Sequence, residues 1–379
     1  MRYQLLMLAF VAASMGGFIW GPQLAFGATR DKAAEPTVAV ETFAVPHYDL
    51  LALDDTIKGM LDREIRPLPR KHQRLTALHA LLYSPQGQHI QYQASGNHSA
   101  RDTYYKKSGN CIALANLFIA AARYVGLDAH YQFVEVSPQW RPHGEFFQVP
   151  GHINAVVNIH GQHAIIEFNG AYFESLDGQQ LRSKIISDQR AKAEFYNNLG
   201  VELLGQGKQH QAIAFFDYAI SLDNTMDFTW SNRGVAYKHL GNYKEAERNY
   251  RKALTLNPRN NSAVKNTYIL HKALGNVAAA KKLAKRVEKY ARKNPYYLAK
   301  IAERHIATGD YKKAVKLLRK AIKIHDQEAD FHHRLAVAYF NIEKYKKSRA
   351  ELHEAKRLAA SESKKIGFQE KIDALAARM

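Results

Sequence analysis

Cysteine is almost absent from this chain: Cys111 is the only one in 379 residues, so an intramolecular disulfide is excluded. Acidic residues are also scarce, because 54 lysines and arginines outnumber 35 aspartates and glutamates and give a formal net charge of +19. Such a charge favours anionic partners, although a basic surface that binds only solvent would have the same composition. The apolar share of 46% is that of a folded protein and excludes a disordered chain.

The first 27 residues have the pattern of a secretory signal peptide. Arg2 supplies a positive charge, Leu5–Trp20 is apolar, and Ala25-Phe26-Gly27 offers a cleavage site before Ala28. We therefore expect export to the periplasm, with an uncleaved membrane anchor as the alternative. Beyond this segment no apolar run is long enough to cross a bilayer. Export makes an anionic envelope component the expected partner of the basic charge, and no nucleic acid is expected.

The length of the chain indicates more than one domain. Residues 28–46 have little periodicity and are expected to form a flexible leader, and residues 84–110 have the composition of a loop. A long apolar helix begins at Cys111 and ends at Gly126. The other expected elements are helices at Leu50–Ile65 and His72–Leu82 and strands at His130–Val136, His152–Ile159 and His163–Phe168.

The last two strands form a hairpin if His160-Gly161 is a two-residue turn. His152 then lies across from Asn169 and diagonal to Glu167, so either side chain can orient the His152 imidazole. The opposite face of the hairpin supports this register, because it becomes nearly continuously apolar. Its facing pairs are Ile159 with Gln162, Val157 with Ala164, Ala155 with Ile166, and Ile153 with Phe168.

The second half of the chain repeats with a period of 34 residues. Small residues recur where two helices would cross, and large ones where they would fill the gap between them. This pattern resembles the tetratricopeptide repeat (TPR), and it predicts five units in residues 193–362 with a capping helix in 363–379. The period is marked by Gly207, Gly241, Gly275 and Gly309, with Glu343 in the fifth place, and the clearest unit contains Trp230, Gly234, Tyr237, Ala246, Tyr250 and Pro258.

The repeat phase separates two polar surfaces. In this repeat type the first helices line a concave groove and the second helices face outward. A dense basic set lies on second helices and is expected on the convex face: Lys281, Lys282, Lys285, Arg286, Lys289, Lys312, Lys313, Lys316, Arg319, Lys320 and Lys323. The groove candidates form a mixed polar surface that favours a protein or peptide partner: Asn198, Asn232, Asn266, Lys238, Lys272, Tyr296, Glu303 and His333.

A thiol at the first residue of a helix lies where backbone N–H groups and the helix dipole favour negative charge. Cys111 is therefore a candidate nucleophile, although a lone cysteine is more often a small buried apolar residue. A nucleophile needs a base and an orienting partner, and the hairpin offers His152 with Glu167 or Asn169. A metal site at the nearby histidines is the rival chemistry, but their spacing matches no ligand motif. No cofactor is expected.

Three segments together resemble the transglutaminase-like, papain-like cysteine protease superfamily: Gly109-Asn110-Cys111, Tyr124–Ala129 and Gly151-His152-Ile153-Asn154. The resemblance implies an α+β domain in residues 47–177, with a helix packed on an antiparallel sheet, and a linker in 178–192. It also implies a triad in which Cys111 is the nucleophile and His152 the base. Glu167 falls where that family has aspartate, and this departure leaves Asn169 as the alternative third member.

The resemblance implies a thiol-dependent enzyme that attacks amide bonds, as a peptidase, an amidase or an acyl transferase. The TPR array would recruit its protein partner. Tyr104, Tyr105, Trp140 and Phe146 are candidates to line the cleft. The alternative is a non-catalytic envelope scaffold, which the glutamate in place of aspartate and the large repeat region both favour.

Overall fold

An α+β part precedes a run of helices, which confirms the expected order of the two folds. The computed structural model describes residues 43–135, 151–168 and 182–377. The expected signal peptide lies outside these ranges, as does the expected leader up to residue 42. Within them, no helix is both long enough and apolar enough to span a membrane.

The α+β part contains both helices and short strands. In chain order they are α1 (Asp55–Glu64), α2 (Lys71–Tyr83), β1 (Gln91–Tyr92), α3 (Ala100–Lys106), β2 (Ser108–Gly109), α4 (Cys111–Tyr124), β3 (Asp128–Glu135), β4 (Gly151–Ile159), β5 (Gln162–Ile166) and β6 (Ser183–Ile186).

The repeat region is entirely helical in the described residues. Its helices are α5 (Asp188–Gly205), α6 (Gln209–Leu222), α7 (Asp227–His239), α8 (Tyr243–Leu256), α9 (Asn261–Ala273), α10 (Val277–Ala291), α11 (Pro295–Ala307), α12 (Tyr311–Ile324), α13 (Ala329–Asn341), α14 (Tyr345–Leu358) and α15 (Glu362–Ala376).

Helix α4 is the centre of the α+β part. All of its residues from Ile112 to Ala122 are buried, because a helix that is apolar on every side is stable only when protein surrounds it. It packs against β3 and β4 on one side and against α2 and α3 on others. The helix ends before Gly126, whose φ of 80° reverses the chain into β3.

Four strands form one antiparallel sheet in the order β5-β4-β3-β6. The β4–β5 register is confirmed, since Ala155 pairs with Ile166 and Ile159 pairs with Gln162. His160 and Gly161 both have positive φ, 52° and 80°, as a two-residue type I′ turn requires.

In three places the structure differs from the sequence expectation. The loop expected over 84–110 contains α3, which Ser99 caps and which buries Thr103 and Tyr104. The linker expected over 178–192 contains β6 and the start of α5. Strand β6 has a single buried residue, Ile186, so it carries no alternating pattern and forms because β3 supplies its hydrogen bonds. Within the expected leader, Val45 packs on the core.

The 34-residue glycine period has a backbone cause. Gly207, Gly241, Gly275 and Gly309 each stand between the two helices of a repeat with φ between 71° and 77°. This left-handed conformation is nearly free for glycine and strained for other residues. Glu343 adopts it in the fifth repeat with φ of 60°, which explains why the period continues there without glycine.

The buried residues of the array fall into separate clusters. The first two repeats share a cluster that reaches α9, and the fourth and fifth share another. Helix α10 lies between them and buries only Ala280. The last helix, α15, packs Phe368, Ile372 and Leu375 against α14 and so covers the end of the array.

Several groove candidates are not on a free surface. Asn232 and Asn266 are 1% and 2% exposed, and Asn232 donates a hydrogen bond to Asn197 at 3.1 Å. These asparagines lie inside the helix packing, where an amide group can join neighbouring helices. His333 packs against Phe368 of α15, and Lys371 lies 3.0 Å from its Nε2. The exposed groove candidates are Lys272 and Glu303, while Asn198, Lys238 and Tyr296 are half-buried.

We expect Gly234→Ala to destabilise the protein by about 1–3 kcal/mol, because overpacking displaces neighbours. A Cβ at residue 234 would lie 2.6 Å from the Tyr250 ring and 3.2 Å from a backbone oxygen of α8. Urea unfolding followed by circular dichroism measures the effect. Gly205→Ala is the matched control: nothing lies within 4 Å of its Cβ, so stability should stay equal or rise slightly. Equal stability of the two variants would contradict the packing argument.

Candidate active site

Cys111 occupies the first turn of α4, next to the residue that caps the helix. The Asn110 side-chain oxygen accepts a hydrogen bond from the Ala113 N–H at 3.1 Å. The remaining N–H groups of the first turn have no partner within the helix and favour an anion at this end. Cys111 is half-buried and packs at the margin of the core.

Close packing explains the glycine two residues before the thiol. A Cβ on Gly109 would lie 2.7 Å from the Ala113 Cβ, closer than side chains approach one another. A Cβ on Gly96 would lie 2.8 Å from the Gly109 Cα, so the loop at Gly96 touches the helix start. The segment Gly109-Asn110-Cys111 therefore combines a contact point, a cap and the thiol in three residues.

His152 is the second residue of β4 and is 7% exposed. Its imidazole interacts with the Cys111 side chain, and its Nε2 lies 2.7 Å from the Glu167 Oε1. Thiol, imidazole and carboxylate thus lie in the order that a nucleophile, its base and an orienting group require.

Glu167 directly follows β5, and both of its carboxylate oxygens are held. Oε1 accepts a hydrogen bond from the Phe168 N–H at 2.9 Å in addition to its contact with His152. Oε2 accepts one from the Asn154 side-chain amide at 3.4 Å. Asn154 is buried and lies two residues after His152 on the same face of β4. These contacts fix the longer side chain that glutamate has relative to aspartate.

Burial opposes a charge on His152, because a buried imidazolium loses its hydration, and this by itself lowers the pKa. Hydrogen bonds and charge interactions with Cys111 and Glu167 outweigh the loss and raise the pKa of His152 to about 9. The imidazole is therefore protonated at neutral pH. A protonated imidazole carries a proton that it can give to a leaving group.

The three residues come from separate segments, α4, β4 and the residue after β5, and the fold brings them together. The alternative third member, Asn169, lies outside the described residues, as do the cleft candidates Trp140 and Phe146.

The two other cleft candidates contact α1 and the residue before it. The Tyr105 hydroxyl donates to the Asp54 carboxylate at 2.7 Å, and the Tyr104 hydroxyl lies 3.6 Å from the Met60 sulfur. Tyr104 is therefore buried beside α1, whereas Tyr105 is exposed and contacts the residue that caps this helix.

Sequence reasoning missed Asn154 as the residue that holds Glu167. A signal was present, since Asn154 alternates with His152 along one strand. Its role depends on where Glu167 falls across the hairpin, which only the register determines. Among the described residues, no group of three or more histidine, cysteine, aspartate or glutamate side chains is arranged to hold a metal ion.

Comparison with protein families divides the chain in the same way. The family model described as the transglutaminase-like superfamily matches residues 61–175. Three models of the tetratricopeptide repeat match residues 193–226, 228–260 and 305–364.

Individual relatives are more distant. An uncharacterized protein of Methanocaldococcus jannaschii is 38% identical over 55 residues, which are 14% of this chain and 64% of that protein. PilF of Pseudomonas aeruginosa has a solved structure that is 14% identical, with a TM-score of 0.33, covering 50% of this chain and 91% of PilF. YrrB, described as a TPR protein with an unusual peptide-binding site, is 19% identical with a TM-score of 0.27, covering 47% and 92%.

We expect Glu167→Gln to lower the pKa of His152 by about 1–3 units, because the variant loses the opposite charge beside the imidazole. A raised histidine pKa stabilises the fold fully below pH 6.5, and this contribution disappears as the pH rises through about 9. Between pH 6.5 and about 9, the free energy of unfolding should therefore fall less in the variant than in the parent. NMR titration of the His152 ring protons reads the pKa directly.

Asp128→Asn is the matched control, because it removes the partner of the exposed His130, whose Nε2 lies 2.7 Å from the Asp128 carboxylate. It should leave the titration of His152 unchanged. An unchanged titration of His152 in Glu167→Gln would show that the carboxylate does not raise the pKa of His152.

Proposed function

We propose that this chain, which joins a transglutaminase-like domain to an array of tetratricopeptide repeats, is a thiol-dependent enzyme that acts on amide bonds. The observation that carries the proposal is the contact of His152 with both the Cys111 thiol and the Glu167 carboxylate. In this proposal Cys111 is the nucleophile, His152 the general acid and base, and Glu167 the orienting group. The array holds the protein or peptide that is modified, or a partner that delivers it.

The first half of the reaction forms a thioester. The Cys111 thiolate attacks the amide carbonyl carbon, and the carbonyl oxygen takes the negative charge. The Cys111 backbone N–H, which has no partner within the helix, lies where it can donate to that oxygen. The carbon–nitrogen bond then breaks, and His152 gives its proton to the leaving amine.

The second half releases the acyl group. His152, now neutral, takes a proton from water or from a second amine as this molecule attacks the thioester. Water gives a carboxylic acid and amide hydrolysis, whereas a lysine amine gives a new amide bond. Both routes regenerate the thiolate and the protonated imidazole.

The glutamate that replaces the family's aspartate is compatible with this role. The Phe168 N–H and the Asn154 amide hold its two oxygens, and Nε2 of His152 lies 2.7 Å from its Oε1. The departure that favours a non-catalytic scaffold on sequence grounds is therefore no obstacle to orienting the imidazole.

We also propose export to the periplasm, with residues 1–27 as a cleaved signal peptide and an uncleaved anchor as the alternative. The support is the positive residue, apolar stretch and small-residue site at the N-terminus. N-terminal sequencing of the protein from a membrane-free periplasmic extract distinguishes the two, since cleavage predicts Ala28 as the first residue.

We also propose an anionic envelope component as a further partner, and the support is a strongly basic surface of the repeat array. Helices α10 and α12 carry a row of exposed basic side chains: Lys281, Lys282, Lys285, Arg286, Lys289, Lys312, Lys313, Lys316, Arg319, Lys320 and Lys323. We call these eleven residues the basic surface. Lys313 of this surface pairs with Asp310 at 2.6 Å. The other basic residues of α12 line a shallow depression.

We expect Cys111 to be alkylated by iodoacetamide at neutral pH in the folded protein, and His152→Ala to slow this reaction about tenfold or more. The imidazolium that favours the thiolate is absent from the variant. Mass spectrometry of the intact chain follows the rate. His163→Ala, a change at an exposed position on the neighbouring strand, is the control and should react like the parent. A thiol that does not react, or reacts equally in His152→Ala, would leave the non-catalytic scaffold as the function.

We expect dextran sulfate, a soluble acidic polymer, to bind the protein and to lose affinity steeply as ionic strength rises past about 0.1 M. The triple variant Lys312→Gln, Lys316→Gln and Lys320→Gln should bind several-fold more weakly. A control that removes three exposed charges elsewhere, at Lys71, Lys106 and Lys272, should bind nearly as well as the parent. Equal losses in both variants would show that net charge, rather than the basic surface, causes binding.

A further inference from the structure

The first repeat helix belongs to the hydrophobic core of the transglutaminase-like domain. Phe195 and Tyr196 of α5 are buried in the same cluster as the apolar residues of α4. Phe215 of the following helix, α6, joins this cluster as well. The boundary between the two folds therefore runs through a shared core, and α5 cannot move without disturbing it.

Polar contacts also attach α5 to the domain. Arg123 in the last turn of α4 makes a bidentate ion pair with Asp188 in the first turn of α5, at 2.6 and 2.9 Å. The Tyr196 hydroxyl donates to the Pro46 carbonyl at 2.8 Å and accepts from the Tyr48 N–H at 3.0 Å. These contacts lie away from the thiol and anchor the helix in general.

Two hydrogen bonds of one side chain lead from α5 to the residue before Cys111. The Asn97 side-chain amide donates to the Phe195 carbonyl oxygen of α5 at 3.0 Å. The Asn97 side-chain oxygen accepts from the Asn110 amide at 3.3 Å. Asn110 is the cap of α4 and the residue directly before Cys111. Asn97 and Asn110 thus connect α5 to the N-terminus of α4.

Asn110 is fixed in position, because three of its groups make hydrogen bonds. Its N–H donates to the Gly96 carbonyl at 2.7 Å, its oxygen caps the Ala113 N–H, and its amide reaches Asn97. A Cβ on Gly96 would lie 2.8 Å from the Gly109 Cα, and a Cβ on Gly109 would lie 2.7 Å from the Ala113 Cβ, so neither glycine has room for a side chain. A displacement of Asn97 is therefore passed on to Asn110 and to the thiol beside it.

The imidazole is held by a different part of the structure. His152 lies on β4, and its partner Glu167 is fixed by Asn154 and the Phe168 N–H, all from the β4–β5 hairpin. The thiol and the imidazole are consequently positioned by two separate sets of contacts. Their alignment depends on both sets being in place.

We infer that Asn97 is a positioning residue through which the first repeat helix sets the location of the Cys111 thiol relative to His152. The inference rests on the proposed function, because it assigns Asn97 a role in the reactivity of that site. It makes the first repeat a part of the reactive centre rather than only a tether for partners.

A double-mutant cycle on the full chain tests the inference. Asn97→Ala removes both hydrogen bonds of the connecting side chain. Asn110→Ser keeps a good helix cap but removes the amide that reaches Asn97. Tyr196→Phe is the matched control, because it removes hydrogen bonds between α5 and the rest of the domain without touching this path.

The rate of Cys111 alkylation by iodoacetamide between pH 5 and 10 is the readout. We expect Asn97→Ala and Asn110→Ser each to slow alkylation about fivefold to tenfold at neutral pH, the factor that loss of one hydrogen bond gives. The pH at which the rate is half-maximal should rise in both variants, which a general loss of stability does not cause. If the residues act on one path, the double variant should react like either single variant. Tyr196→Phe should stay within about twofold of the parent.

Three results would overturn the inference: parental rates in both single variants, additive losses in the double variant, or an equal loss in Tyr196→Phe. Circular dichroism and urea midpoints identify a variant that fails to fold, and Asn110→Ser with its retained cap then carries the test. Failure of the proposed function is distinguishable, because it would appear as an unreactive thiol in the parent or an unaffected rate in His152→Ala.

Discussion

The burial of α4 is the constraint on which the rest of the structure depends. Its apolar residues face the sheet, α2 and α3 at once, so the helix has one stable position and one stable rotation. Its N-terminal end emerges at the margin of the core, and Cys111 is placed there as a consequence. A thiol on a mobile loop would take many positions relative to the imidazole, whereas the burial of α4 holds it near His152.

The chemistry of the site follows from partial burial. A low-dielectric setting penalises a single charged imidazole, and it also strengthens the attraction between that imidazole and the groups beside it. For His152 the attraction exceeds the penalty, and the ring keeps its proton at neutral pH. Asn154 contributes indirectly, because it holds the carboxylate whose charge makes the difference.

The first helix of the repeat array packs into the domain that carries this site, whereas the described residues of the later repeats pack among themselves. Its first helix shares the core of the transglutaminase-like domain, and the first two repeats continue from it as one packed unit. The fourth and fifth repeats form a second unit, with α10 and its single buried residue between them. The basic surface lies on α10 and α12, beyond the part of the array that touches the domain. The contacts that lead towards Cys111 and the basic surface therefore lie on different repeats.

The sequence by itself determined the features that depend on neighbours along the chain: the 34-residue repeat, the β4–β5 register, and a cysteine at the start of an apolar helix. Each rests on a local period or a turn that a short segment imposes on its own. Only the tertiary structure decided the strand β6, the burial of Asn232 and Asn266, and the membership of α5 in the first core. These features have no local signal, because the free energy that forms them comes from contacts with distant segments: the β3 ladder for β6, and burial in the core of the α+β part for Phe195.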